Sequence, residues 1–219
     1  MQTRGLLCEE INKIRRELTL MASRVEEDLG KALVILRSGN EELVKEVKES
    51  GKDVDALQLK IEDMTLVLIA TQQPVARDLR EMIMFFKLTS NLERIGDFGI
   101  HLVKTAKKLS KRAPFRSVER IDRMAEIGQK MLNASFSSYL QQDADAARKA
   151  AAMDDLIDAE HKALTEEILR LMKKKPELVK PAARLLKLSG YMERMGDHIT
   201  HICEGVIFMI EGKHEELNH

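Results

Sequence analysis

A five-residue motif of charged residues and glycine occurs twice in this chain. The first copy is Glu93-Arg94-Ile95-Gly96-Asp97, and the second, Glu193-Arg194-Met195-Gly196-Asp197, follows 100 residues later. In each copy the Glu, the Asp and a following His (His101 or His201) are four residues apart. This spacing places all three side chains on one face of a helix. A repeat of this length indicates two copies of one structural unit, each with two carboxylates and an imidazole on a helical face.

Such a face is unfavourable for an isolated helix. Like charges at i and i+4 cost about 0.2–0.5 kcal/mol, and Gly96 and Gly196 cost about 1 kcal/mol each relative to alanine. A bound cation would draw the carboxylates together, and glycine would let a neighbouring helix or ligand approach closely. The alternative is a solvated acidic surface, which is the usual role of a pair such as Glu42 and Glu46.

The helix expected to pack beside the second motif carries another acid pair, Asp154 and Asp158. Four carboxylates from two helices would repel one another unless they were protonated or bridged by cations. His201 and Glu204 extend the same face, and His101 holds the corresponding place in the first copy. Oxygen ligands with an imidazole suit iron, zinc, manganese or magnesium, so the ligand types do not identify the metal.

The composition favours a soluble, helix-rich protein. Of its 219 residues, 44% are hydrophobic and 33% charged, and there is no Trp. Lys+Arg and Asp+Glu both number 36, so the chain lacks the basic excess of a nucleic-acid-binding protein. The two cysteines, Cys8 and Cys203, indicate reduced thiols and no disulfide framework. The apolar runs are too short to span a bilayer, so we expect a cytoplasmic protein.

Turn residues divide the chain into six predicted helices. Ser38-Gly39-Asn40 ends the first helix, and Asn40 is expected to cap the second. The second helix is predicted to bend at Ser50-Gly51 and to resume up to about Ala70. The third runs from Val75 to about Ser110, and the fourth covers 117–140. The fifth runs from the bend at 141–143 to about 172. The sixth runs from the turn at 173–176 to about Gly212.

The break Ala113-Pro114-Phe115 separates the two predicted halves, 1–112 and 113–219. Each half should form a bundle of three antiparallel helices joined by short turns. No segment shows the alternating pattern of a strand, so the predicted fold class is all-α.

The motifs of several enzyme classes are missing from the sequence. There is no Gly-rich phosphate loop and no Gly-x-Ser-x-Gly elbow. A carboxylate-bridged metalloenzyme is the main alternative, but such enzymes use Glu-x-x-His motifs on core-facing helices. The one match, Glu211 to His214, spans Gly212 near the chain end. A structural helical bundle without metal is a third possibility; we predict a protein that binds and does not catalyse.

The two motifs and their flanks resemble the PhoU family, the regulators of phosphate uptake. The resemblance covers essentially the whole chain and rests on the segments 73–80, 92–97, 192–198 and 203–205. It implies two tandem three-helix bundles in a cytoplasmic protein that often forms homodimers. It also implies a negative regulator of phosphate uptake and phosphate-starvation signalling, which links a phosphate ABC transporter to a sensor histidine kinase and meets the membrane only through these partners.

The resemblance further implies multinuclear metal sites built from paired acids. Gly51 stands where the first repeat would carry one of these acids, and His101 and His201 stand where the family commonly has Asn. We therefore expect the second repeat to bind metal more tightly than the first. Carried over by position, the implied acids are Asp154, Asp158, Glu193 and Asp197 in the second repeat, and Asp55, Glu93 and Asp97 in the first.

Overall fold

The computed structural model describes residues 2–38, 40–106 and 115–217. Helices account for nearly all of this part of the chain, and no strand occurs in it, which confirms the all-α prediction. The helices are α1 (Gln2–Ser38), α2 (Glu41–Gln72), α3 (Ala76–Ala106), α4 (Phe115–Gln141), α5 (Ala144–Ala151), α6 (Asp154–Lys174) and α7 (Val179–Glu211), with a short 3-10 helix (Pro176–Leu178) before α7.

Several predicted helix ends are confirmed by their capping residues. The Asn40 side chain accepts a hydrogen bond from the backbone N–H of Glu42 at 3.0 Å, at the start of α2. Gly212 follows the last residue of α7 with a φ of 73°, a left-handed conformation that glycine adopts without strain. The predicted end of α3 near Ser110 and the predicted boundary between residues 112 and 113 lie outside the described residues.

The second helix of each repeat departs from the prediction. Helix α2 continues through Ser50 and Gly51, so the interruption expected there is wrong. In the second repeat, the single helix expected up to about residue 172 is also wrong, because α5 ends and α6 begins around Ala152 and Met153. This break places Asp154 in the first turn of α6, where the helix dipole favours a carboxylate.

Two three-helix bundles make up the fold, as predicted. In the first bundle, α1, α2 and α3 pack against one another. In the second bundle, α5 and α6 together take the place of the second helix. Helices α4 and α7 pack against each other and against both of these. The spacing of apolar residues along each long helix explains this packing, because every third or fourth position faces the core. Leu18 and Met21 of α1 and Leu88 and Leu92 of α3 are fully buried in this way.

Helices α3 and α7 form the main contact between the bundles, with a smaller contact between α1 and α4. They run antiparallel, because Asn91 contacts His198 while Phe98, further along α3, lies beside Tyr191, which comes earlier on α7. The midpoint of these contacts falls at the two charged motifs. The two copies of the motif therefore cross each other at the centre of the interface.

None of the helices in the described ranges is both long and apolar enough to cross a bilayer.

Candidate metal centre

The second repeat brings four predicted acids together between two helices. Asp154 and Asp158 lie one turn apart on α6, and Glu193 and Asp197 lie one turn apart on α7. Burial raises the pKa of Glu193 and of Asp197, and neighbouring carboxylates, including Asp158 in both cases, raise each pKa further. The four side chains therefore form one electrostatically coupled cluster.

Asp154 is the buried member of this cluster, with only 7% of its surface exposed. Thr200 Oγ1 donates a hydrogen bond to its Oδ2 at 3.2 Å, whereas its Oδ1 has no hydrogen-bond partner. Burial, together with the nearby charge of Asp158, raises the pKa of Asp154 to about 7. Leaving a buried acceptor unsatisfied costs about 1–3 kcal/mol, and more for a charged group, so this oxygen is suited to a bound cation.

Gly196 makes room for the Asp154 carboxylate. A Cβ atom added at position 196 would overlap Asp154 Oδ1 and would lie 3.0 Å from its Cγ. The corresponding Gly96 differs, since a Cβ there would meet only Val25 and Val54, at 3.7 and 3.8 Å. The expected close approach therefore exists in the second copy of the motif and is absent from the first.

A cavity of about 270 Å³ opens beside Asp154. Two residues beside it were not predicted as site residues: Asp155, which adjoins Asp154, and Arg148, whose place depends on how α5 packs. Arg148 pairs with Glu211 at 3.0 Å and with Glu215 at 2.7 Å, which holds the segment after α7 near the cavity. The residues lining the cavity include four acids, Asp154, Asp155, Asp158 and Asp197, together with Arg148, Ala151, Ala152 and Leu217.

His201 and Glu204 lie further along α7. Burial and Asp158 raise the pKa of Asp197, whereas the nearby His201 lowers it, so the exposed imidazole lies close to this acid. The Glu204 carboxylate accepts a hydrogen bond from the backbone N–H of Leu217 at 2.9 Å. His201 therefore belongs to the edge of the cluster, while Glu204 holds the C-terminal segment that borders the cavity.

The first repeat brings together three predicted acids around Glu93. Burial raises the pKa of Glu93, and the charges of Asp97 and Asp55 raise it further. Helix α2 has no acid at Gly51, and a Cβ there would lie 2.5 Å from Ile100 Cδ1. The pair Gly51 and Ile100 thus takes the place that Asp154 and Thr200 occupy in the second repeat.

The structure places His101 at the contact between the bundles. Its ring stacks on Tyr191 of α7, with the ring centroids 5.0 Å apart. This contact holds His101 against the second repeat. The candidate site of the first repeat is therefore formed by the three acids around Glu93.

The acids of the second repeat have the chemistry that a metal ion requires, although their side chains are not arranged around one position. Within the described ranges, no three His, Cys, Asp or Glu side chains already converge as ligands of one ion. Asp154 Oδ1 is nevertheless the one carboxylate oxygen in the described part of the chain that is buried without a partner. A cation would satisfy this oxygen and remove the repulsion between the four acids.

The fold and these acids define a helical protein of two similar bundles, each with a carboxylate cluster beside the shared interface. The model of the PhoU domain family matches residues 18–106 and 121–206. The chain therefore belongs to the PhoU family, which confirms the resemblance inferred from its motifs.

Individual relatives match over nearly their full lengths. The chain is 30% identical over 217 residues to a phosphate-specific transport system accessory protein PhoU homolog of Clostridium acetobutylicum, covering 99% of each chain. It is 32% identical over 214 residues to a homolog of the same name from Aquifex aeolicus, covering 96% of this chain and 97% of the relative. The crystal structure of PhoU from Pseudomonas aeruginosa matches with a TM-score of 0.89 and 27% identity, covering 94% of this chain and 99% of that one.

Proposed function

We propose that this protein is a regulatory accessory protein of a phosphate-specific transport system and acts by binding. Membership of the PhoU family and the names of its relatives support this role. The two bundles supply long helical faces for contacts with other proteins. On α2, for example, Leu59, Leu66 and Val67 are more than half exposed.

In this proposal the protein lowers phosphate uptake and phosphate-starvation signalling when phosphate is plentiful. Its partners are the phosphate ABC transporter and a sensor histidine kinase, it works in the cytoplasm, and it forms homodimers. Deleting the gene should then leave phosphate-starvation genes expressed in phosphate-rich medium. Normal repression in the deletion strain, or failure of the purified protein to bind the kinase, would contradict the role.

We further propose that the second repeat holds metal ions. The unpartnered Oδ1 of the buried Asp154 is the observation that carries this proposal. Asp154, Asp158, Glu193 and Asp197 would be the main ligands, with His201 at the edge. When bound, the metal would supply positive charge that offsets the repulsion between the carboxylates and joins α6 to α7.

Within this site, protein groups set the position of the key carboxylate. Thr200 holds one oxygen of Asp154, and Gly196 leaves space for the other. Elemental analysis of protein purified without a chelating column tests the proposal by giving metal identity and stoichiometry. Absence of metal, together with no uptake of added iron, zinc, manganese or magnesium, would refute it.

A further inference from the structure

His161 continues the acidic face of α6. It follows Asp158 by three residues and Asp154 by seven, so the three side chains lie on one side of the helix. Ser189 stands opposite on α7, four residues before Glu193. His161 and Ser189 therefore form the next layer beyond the four acids. His161 was not predicted as a site residue, and a single histidine in a helix is more often a packed or surface residue.

The hydrogen bonds around His161 favour the tautomer that carries its proton on Nδ1. Its Nδ1 lies 2.6 Å from Ser189 Oγ, and this hydroxyl donates to the sulfur of Met124 at 3.7 Å. A thioether has no proton to give, so with the hydroxyl hydrogen directed at the sulfur, the hydroxyl oxygen accepts from Nδ1–H. This tautomer leaves a lone pair on Nε2, which has no hydrogen-bond partner among the described residues.

The imidazole also lies within electrostatic reach of the acids. Burial and Asp197 raise the pKa of Glu193, whereas His161 in its protonated form lowers it, so the imidazole lies near this acid. In the first repeat, the residue three after Asp55 is Gln58, whose amide donates to Glu62 on its own helix at 2.9 Å. An imidazole nitrogen, whose lone pair can bind a metal ion, is thus found at this position in the second repeat and not in the first.

We propose that His161 supplies Nε2 as a nitrogen ligand to a cation bound beside Glu193, with Ser189 as the residue that positions the ring. Metal-binding histidines commonly give their other N–H to a neighbouring acceptor, as Nδ1 does here. Imidazole favours zinc and similar transition metals, whereas magnesium prefers oxygen. The second repeat should therefore select zinc-like ions over magnesium. This inference rests on the proposed metal site.

Replacing His161 with Gln, the residue that the first repeat carries, tests the assignment. Titration of the purified full-length protein with zinc and with magnesium should show about tenfold weaker zinc binding in His161→Gln, with magnesium binding unchanged. A purely structural role would weaken both metals alike. His214→Gln is the control for loss of a histidine elsewhere, because His214 lies after α7 and stacks on Phe208, with the ring centroids 4.2 Å apart.

A spectroscopic experiment tests the ligand directly. Copper-loaded protein in a His201→Gln background should show imidazole nitrogen coupling by pulsed EPR, and adding His161→Gln should remove it. Persistence of the coupling, or an unchanged preference for zinc over magnesium, would overturn the role of His161 and leave the acid site standing. Failure of the parent protein to bind any of these metals would instead overturn the metal site itself.

Ser189→Ala keeps the imidazole and provides a second test, should His161→Gln not fold. Loss of the positioning hydroxyl should lower the preference for zinc over magnesium by about tenfold. An unchanged preference in this variant would contradict the proposed tautomer.

Discussion

Replacing Asp154 with asparagine should stabilise the metal-free protein at neutral pH. The pKa of this carboxyl rises from its ordinary 3.8 to about 7 on folding, chiefly because it is buried. Between about pH 4 and pH 7 the folded protein therefore keeps a proton that the unfolded chain releases. The free energy of unfolding falls as pH rises through this window, and the full penalty applies above it. Asparagine has the same shape and carries no charge.

The size of the effect follows from the two pKa values. The change from 3.8 to about 7 corresponds to roughly 4 kcal/mol at about 1.36 kcal/mol per pKa unit. Asparagine keeps an acceptor for Thr200, but it adds amide hydrogens next to Gly196, at a cost of about 1 kcal/mol or more. We therefore expect Asp154→Asn to gain about 2–3 kcal/mol at about pH 8 and to lose up to about 1 kcal/mol at about pH 4.

Urea unfolding with a chelator present, at several pH values, measures this difference. The gain of Asp154→Asn over the parent should grow with pH and then level off above about pH 7. Adding metal should reverse the order, because the parent protein alone keeps the charged ligand. Asp155→Asn, at an exposed neighbouring position, should change stability by less than about 0.5 kcal/mol. A difference that does not vary with pH, or a variant less stable than the parent at about pH 8, would refute the reasoning.

Two further predictions compare the repeats. Asp197→Ala should remove more metal than Asp97→Ala, because the second repeat holds four acids and the unpartnered carboxylate oxygen; equal losses by elemental analysis would contradict the unequal sites. Gly196→Ala should lower the melting temperature and the metal content, since the new Cβ would overlap Asp154, whereas Gly96→Ala should be neutral or stabilise by up to about 1 kcal/mol. Similar melting temperatures for the two alanine variants would show that Gly196 has no spacing role.

Much of the fold could be predicted from the sequence, because its long helices depend on local signals. Apolar spacing, the Asn40 cap and Gly212 mark elements that the structure confirms. Whether the second helix of each repeat is interrupted, and at which residue, could not be predicted from these signals. Helix α2 continues through Gly51 despite its weak helix propensity, whereas the chain breaks at Ala152 and Met153, two residues that favour helix. Tertiary packing overrides local propensity at both places.

The candidate site was predictable to the extent that its residues share one helix. The spacing of four places Asp158 one turn from Asp154, and Asp197 one turn from Glu193. Contacts between helices were not predictable, because they depend on the packing register. The overlap of Gly196 with Asp154 is one example, and the hydrogen bond of His161 to Ser189, 28 residues away, is another.

The pair Gly51 and Ile100 has an evolutionary consequence. Aspartate at position 51 alone would press against the Ile100 side chain and place a carboxylate beside an apolar group. Threonine at position 100 alone would lose packing atoms, and its hydroxyl would lack the carboxylate that Thr200 contacts. Each single step towards the arrangement of the second repeat therefore lowers stability, because neither residue alone has the partner that it has there. The first repeat therefore does not acquire the missing acid through one substitution that keeps its stability.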